Sequence, residues 1–153
     1  MTNTYTQIHI HIVFAVRKRE CLIQKSLQEP LYKYVSTIIN NNGHKTLCIG
    51  GTQDHIHILL GLRPNESLSH LVQEIKKDSS KWINSNGFLK GHFEWQEGYG
   101  AFSYAKSQIP AVVAYIENQE QHHKRQTFID EYKQMLEMFN ISYDEKYIFK
   151  PLQ

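Results

Sequence analysis

Two stretches of this chain nearly repeat each other: residues 7–14 read QIHIHIVF and residues 53–60 read QDHIHILL. In both stretches isoleucine alternates with histidine. This two-residue period is that of a β-strand, whose successive side chains point to opposite faces. Each stretch therefore puts two histidines, at positions i and i+2, on one strand face. Such a pair can bind one metal ion, although histidines on strands are more often hydrogen-bonded structural residues.

The rest of the chain alternates between helical and strand-like periodicity. The order β-α-β-β-α-β-α-α predicts an α+β fold, namely a ferredoxin-like (RRM-like) antiparallel sheet covered by helices in a single domain over 1–153. An aromatic tail at 140–153 is expected to pack on the body. The predicted strands lie at 5–16, 46–51, 55–62 and within 92–105. The first predicted helix spans 26–40, the second runs from a cap at Asn65 or Ser67 to about residue 84, and the third runs from Pro110 to residue 123. The last predicted helix follows a capping signal at Thr127 and Asp130.

Composition narrows the class of protein. Apolar residues make up 41% of the 153 residues, but no apolar run approaches the roughly 20 that span a membrane. The N-terminus lacks the build of a signal peptide, and Cys21 and Cys48 have neither metal-site nor disulfide spacing. These features predict a protein of the reducing cytoplasm. A formal net charge of +2 does not by itself indicate nucleic acid, but basic clusters at 16–20, 74–81 and 122–125 can neutralise phosphates.

The two histidine pairs differ in their surroundings. His55 and His57 directly follow GGTQD, where glycine permits a sharp turn and Asp54 can orient a ligand imidazole. His9 and His11 have no acidic or turn residue beside them. Two imidazoles leave most of a coordination sphere open, so such a site needs an oxygen ligand from elsewhere.

The helix after Pro110 offers that oxygen. Tyr115 and Gln119 are four residues apart and so share a helix face. A glutamine carbonyl can bind a hard cation, and a tyrosine hydroxyl beside a metal-bound phosphate can act as a nucleophile. Taken alone, Tyr115 is better explained as a half-buried core aromatic whose hydroxyl is hydrogen-bonded.

These motifs together resemble one family. QDHIHILL is similar to the histidine–hydrophobic–histidine (HUH) motif, and VVAYIENQEQHH is similar to the tyrosine-bearing helix of single-tyrosine HUH transposases. That family comprises insertion-sequence transposases of the TnpA type and REP-associated tyrosine transposases. The resemblance extends over IHIVFAVRKRE, LSHLVQEIKKDSSKWI and WQEGYGAFSYAKS, and it matches the second histidine pair. His9 and His11 are then structural or DNA-facing.

The resemblance implies a function. The chain would cleave and rejoin single-stranded DNA, with Tyr115 forming a 5′-phosphotyrosine link. His55, His57 and Gln119 would hold Mg²⁺ or Mn²⁺. The substrate would be single-stranded DNA, expected as a hairpin at an element end. The protein would be a homodimer, and in many members of the family the tyrosine helix of one subunit completes the histidine site of the other. The candidate phosphate contacts are Arg17, Lys18, Arg19, Lys76, Lys77 and Lys81.

Two other readings remain open from the residues alone. One is a non-catalytic nucleic-acid-binding module of ferredoxin-like fold in which Tyr115 is inert. The other is a metal-dependent phosphodiester hydrolase that uses His55 and His57 with a water nucleophile. A full set of two histidines, a tyrosine and a glutamine favours the transposase over both.

Overall fold

The sheet has four strands, all antiparallel to their neighbours, in a computed structural model that describes residues 4–144. The strand order is β2-β3-β1-β4, which puts the two histidine-bearing strands side by side at the centre. This arrangement confirms the predicted ferredoxin-like sheet. The strands are β1 (His9–Ala15), β2 (Lys45–Gly51), β3 (His55–Gly61) and β4 (Gly100–Tyr104).

Two helices, α1 (Lys25–Asn41) and α2 (Leu68–Ser85), cover one face of the sheet. Their inward stripes recur at helical spacing and pack on alternate residues of the central strands. Ser67 caps α2, because its hydroxyl accepts a hydrogen bond from the backbone N–H of His70 at 3.1 Å. The main core joins β1 and β3 to these helices through buried residues that include Ile12, Phe14, Ile56, Ile58, Leu60, Leu31, Val35, Leu71 and Ile75.

Three further helices cover the opposite face, which carries the histidines. They are α3 (Ile109–Glu117), the single turn α4 (Gln119–His122) and α5 (Phe128–Met138). Val13, Ala15 and Phe102 pack against α5, while Leu59 packs against α3. Because both faces of the sheet are covered, the first six residues of β3 are all buried.

Three predicted elements differ from the structure by more than a residue at either end. β1 begins at His9 rather than at residue 5, because its neighbours end at Gly61 and Tyr104, both opposite His9. Only 100–104 of the aromatic segment 92–105 forms a strand. The predicted helix from Pro110 breaks at Asn118, whose ψ of 21 ends α3 before α4 begins.

The tail prediction lies only partly within the described residues. Tyr143 packs against the cluster under α5, and 145–153 fall outside the described part of the chain. Among the helices of residues 4–144, none is both long and apolar enough to cross a membrane.

Gly50 sets how closely α3 approaches the sheet. It lies on β2 opposite His57, and a Cβ at this position would come within 2.5 Å of the backbone oxygen of Ile116. That distance is below any van der Waals contact, so α3 rests directly on the glycine. The helix that carries Tyr115 is therefore held against the histidine strand by the absence of a side chain.

We expect Gly50→Ala to destabilise the fold by about 1–3 kcal/mol, the usual cost of overpacking, because a helix backbone must move. Chemical denaturation measures this free energy. Gly61→Ala is the matched control at the end of β3, where the nearest atom to a Cβ would be 3.7 Å away. Equal stability of the two variants would show that α3 does not rest on Gly50.

Candidate functional site

The second histidine pair lies at the centre of the histidine-bearing face. His55 and His57 are both fully buried, and their side chains point toward α3, α4 and α5. The register of β3 brings His57 opposite Val13 on β1 and Gly50 on β2. Apolar and small neighbours therefore fix both rings within a closely packed layer.

The turn before β3 orients His55. Its Nδ1 donates to Oδ1 of Asp54 at 2.7 Å, and the hydroxyl of Thr52 donates to the same oxygen at 2.9 Å. Burial alone would raise the pKa of Asp54, but the hydrogen bonds from His55 and Thr52 and the nearby imidazoles together outweigh burial and lower the pKa. An ionised Asp54 thus holds the proton of His55 on Nδ1 and leaves Nε2 facing the interior.

A carboxylate from α5 occupies the centre of the site. Glu131 is 2% exposed and accepts from four side chains. Nε2 of His57 and Nε2 of His123 each donate to its Oε1 at 3.2 Å, while the hydroxyl of Tyr115 and the amide of Gln119 donate to its Oε2. Burial alone would raise the pKa of Glu131, but the hydrogen bonds from His123 and His57 outweigh it and lower the pKa far below its usual range.

The pKa values of the titratable donors around Glu131 are shifted as well, that of His57 downward and those of His123 and Tyr115 upward. Burial lowers the pKa of His57 to about 4, so its ring is neutral near pH 7. Burial also opposes the charged form of His123, but the hydrogen bond to Glu131 and the negative charges of Glu131 and Asp54 together outweigh burial and raise the pKa. Burial, followed by the negative charge of Glu131, raises the pKa of Tyr115, so its phenol keeps its proton.

Lone pairs converge where His55 meets Gln119. With its Nδ1 proton donated to Asp54, a neutral His55 has a lone pair on Nε2. The amide nitrogen of Gln119 donates to Glu131 at 3.1 Å, which turns the amide oxygen toward His55 Nε2 at 2.9 Å. Two acceptors at this distance repel each other unless a proton or a cation lies between them. The donor set therefore suits a cation.

Ligand atoms of His55, His57 and Glu131 all lie within 4.8 Å of one another, and all three residues are buried. Two imidazole nitrogens with a carboxylate oxygen and a nearby amide oxygen form a set that accepts several divalent ions. Of the predicted ligands, the two histidines and Gln119 are brought together. Tyr115 belongs to the same cluster, its ring centroid 5.8 Å from that of His57 in the same chain.

Sequence reasoning missed Glu131 and His123. Glu131 had a detectable signal, because it lies on the inward stripe of α5 among Phe128, Tyr132 and Met135, where an unpaired charge would be costly. A carboxylate at an apolar position of an amphipathic helix indicates a buried partner. His123 had no such signal, since it follows α4 in a short polar connection.

The predicted phosphate contacts fall into two groups. Arg17, Lys18 and Arg19 form a 3-10 turn directly after β1, where the N–H of Val16 donates to the backbone oxygen of Asp54. This turn therefore adjoins the site, although Arg17 is paired with Glu94.

The second group lies on α2, which covers the opposite face of the sheet. Lys77 pairs with Glu74 at 3.2 Å, and Lys77 and Lys81 are both exposed. Lys76 is engaged in the fold instead, because its ammonium donates to the backbone oxygens of Gln96 and Gly98 at 2.7 Å each. Burial lowers its pKa to about 8.

Residues 4–119 match the family described as "Transposase IS200 like", which defines the class of protein as a transposase. The chain belongs to this family of transposases. It is 21% identical over 118 residues to the ISDra2 transposase TnpA of Deinococcus radiodurans, covering 74% of this chain and 84% of that protein.

Two solved structures share the fold. A crystal structure from Deinococcus radiodurans R1, described as that of a transposase, has a TM-score of 0.63 and 21% identity, over 78% of this chain and 95% of that chain. A structure of a REP-associated tyrosine transposase bound to a REP hairpin has a TM-score of 0.60 and 16% identity, over 80% of this chain and 73% of that chain. The match to the family ends at Gln119, so His123 and Glu131 lie beyond it.

We expect Glu131→Gln to lower the free energy of unfolding by about 1–3 kcal/mol, because an amide cannot accept from four donors and its own N–H₂ faces some of them. Thermal or chemical denaturation measures the change. Glu137→Gln is the control, since Glu137 is exposed on the same helix. A loss no larger than that of the control would mean that the network contributes little to stability.

Proposed function

We propose that this transposase cleaves and rejoins single-stranded DNA with Tyr115 as the nucleophile. The observation that carries the proposal is the placement of the Tyr115 hydroxyl in one buried cluster with His55, His57, Gln119 and Glu131. A structural tyrosine needs one hydrogen-bond partner and has no use for a group of potential metal ligands around it. Family membership favours strand transfer over a hydrolase or a binding-only module.

A divalent ion, Mg²⁺ or Mn²⁺, would be held by His55 and His57, with Gln119 and Glu131 as oxygen ligands. When bound, it would polarise a phosphate oxygen and stabilise the charge that develops during attack. The residues fit such an ion because the lone pairs of His55 and Gln119 converge and the carboxylate of Glu131 lies beside them. Asp54 fixes His55 from the opposite side of its ring.

Tyr115 supplies the covalent chemistry. Its oxygen would form a bond to phosphorus while the bond from phosphorus to the 3′-oxygen breaks, leaving a 5′-phosphotyrosine link and a free 3′-hydroxyl. The phenol proton is already donated to Oε2 of Glu131, which gives it an acceptor as the oxygen attacks. Attack by a 3′-hydroxyl on the phosphotyrosine reverses the step, so rejoining needs no external energy source.

DNA must gain access to this cluster. His55, His57, Gln119 and Glu131 are all buried, so α5 or the α3–α4 segment has to move before a phosphate can reach the tyrosine. A cavity of about 940 Å³ adjoins the cluster between the basic turn after β1 and the start of α5. Asp54 and His123 line it, as do Arg19, Lys124 and Arg125, which supports this side as the approach for a strand.

The partners remain proposals of the same kind. The hairpin bound by the REP-associated relative supports a DNA hairpin as substrate. We also propose a homodimer on the family resemblance. Tyr115 lies over the histidines of its own chain, which supports a site completed within one subunit in this conformation.

Replacing Tyr115 with phenylalanine removes one oxygen and keeps the ring. We expect the covalent protein–DNA adduct to disappear while metal binding persists, because the ligands are unchanged. The measurement is a denaturing gel of labelled single-stranded DNA after incubation with Mg²⁺ or Mn²⁺, in which a protease-sensitive shift marks the adduct.

Tyr104→Phe is the matched control, because Tyr104 packs in the same cluster as Tyr115 beside α3. The control should keep the shift. An adduct that persists in Tyr115→Phe and is lost in Tyr104→Phe would assign the nucleophile to Tyr104.

Gln119→Ala should weaken Mn²⁺ binding more than it weakens DNA binding, because it removes an oxygen ligand from the interior of the site. His57→Ala should abolish Mn²⁺ binding altogether. Calorimetry measures the affinity of each variant for Mn²⁺ and, in a separate titration, for single-stranded DNA. Gln121→Ala, on the exposed side of α4, is the control. Gln119 is not a ligand if its alanine variant binds Mn²⁺ as tightly as the control.

A further inference from the structure

The first histidine repeat also contributes to the site. His11 on β1 is fully buried, and its Nε2 lies 2.8 Å from Nδ1 of His57 on the neighbouring strand. The two rings are stacked, with centroids 5.0 Å apart and planes inclined by 26°. Adjacent strands thus connect one residue of each repeat, on the side of His57 that faces away from Glu131.

The other ring nitrogen of His11, Nδ1, is buried and has no hydrogen-bond partner within residues 4–144. The rings nearest to it are aromatic, with Phe102, Tyr104 and Tyr115 at centroid distances of 6.0, 6.1 and 6.4 Å. A buried imidazole nitrogen without a partner is costly, so packing alone does not account for a histidine at this position.

The hydrogen bonds define the tautomers in the described conformation. His57 donates from Nε2 to the ionised Glu131, so its Nδ1 is an acceptor and Nε2 of His11 is the donor. This leaves a lone pair on Nδ1 of His11.

Metal binding requires the opposite arrangement. An ion held by Nε2 of His57 needs the lone pair on that nitrogen, so the proton of His57 must lie on Nδ1. That N–H then donates to Nε2 of His11, whose own proton moves to Nδ1. Each ring carries one proton before and after, and the 2.8 Å contact is kept with its direction reversed.

We propose that His11 is a positioning residue that holds His57 in the ligand orientation and exchanges hydrogen-bond direction with it when a metal binds. The inference rests on the proposed metal site at His57. His9 does not share this role: it lies at the start of the same strand, partly exposed, opposite Gly61 and Tyr104.

The first test uses the unmodified protein. Nitrogen-15 spectra of the imidazole rings distinguish a protonated nitrogen from a bare one, and Zn²⁺ is a diamagnetic probe that imidazole binds well. Without metal, we expect the protons of His11 and His57 on Nε2. With Zn²⁺, both protons should lie on Nδ1. A His11 tautomer that does not change, or a His57 that binds through Nδ1, overturns the inference.

The second test uses variants and Mn²⁺ calorimetry. His11→Leu should weaken Mn²⁺ affinity by about 10- to 100-fold, the range found when the partner of a ligand histidine is removed. His11→Gln should restore most of it, since its side-chain oxygen can accept from Nδ1 of His57. His9→Leu is the control and should bind as the unmodified protein does.

The outcomes separate the two proposals. Unchanged affinity in His11→Leu, or no recovery in His11→Gln, contradicts the role of His11 while the metal site stands. If the unmodified protein binds neither Mn²⁺ nor Zn²⁺, the proposed metal-dependent function fails and this inference fails with it.

Discussion

The carboxylate of Glu131 holds the histidine-bearing face together. Burying an ionised carboxylate costs several kcal/mol unless its oxygens are fully hydrogen-bonded. Here the four donors come from β3, α3, α4 and the segment before α5, so one group ties the sheet to every helix on that face. The same interactions bring the proposed nucleophile and ligands within reach of one another. Stability and site geometry therefore depend on the same network.

Much of the fold could be predicted from the sequence because its patterns are local. Strict alternation in β1 and helical spacing in α2 indicate elements, and Ser67 and Thr127 indicate helix starts that the structure confirms. The pairing of β1 with β3 agrees with the predicted sheet. The break at Asn118 was not predictable, because an isolated asparagine inside a helical pattern carries a weak signal.

The four residues of the candidate site that were predicted together are those encoded by spacing. The pair His55 and His57 and the pair Tyr115 and Gln119 are each close in sequence, so periodicity brings each pair to one face. Glu131 and His11 join the cluster through tertiary contacts, across 74 and 46 residues from His57. Periodicity over a few residues carries no information about contacts between residues so far apart in the sequence. The first histidine repeat, interpreted as structural or DNA-facing, contacts His57 through His11.

The wide spacing of these residues along the chain has a consequence for biosynthesis. The cluster unites β1, β3, α3 and α5, so its last member is translated close to the end of the described chain. Domains emerge from the ribosome N-terminus first, and contacts between distant segments form late. A nascent or prematurely ended chain that stops before α5 carries the tyrosine and the histidines without the carboxylate that brings them together. Assembly of the proposed DNA-cutting centre is thereby delayed until α5 has been translated.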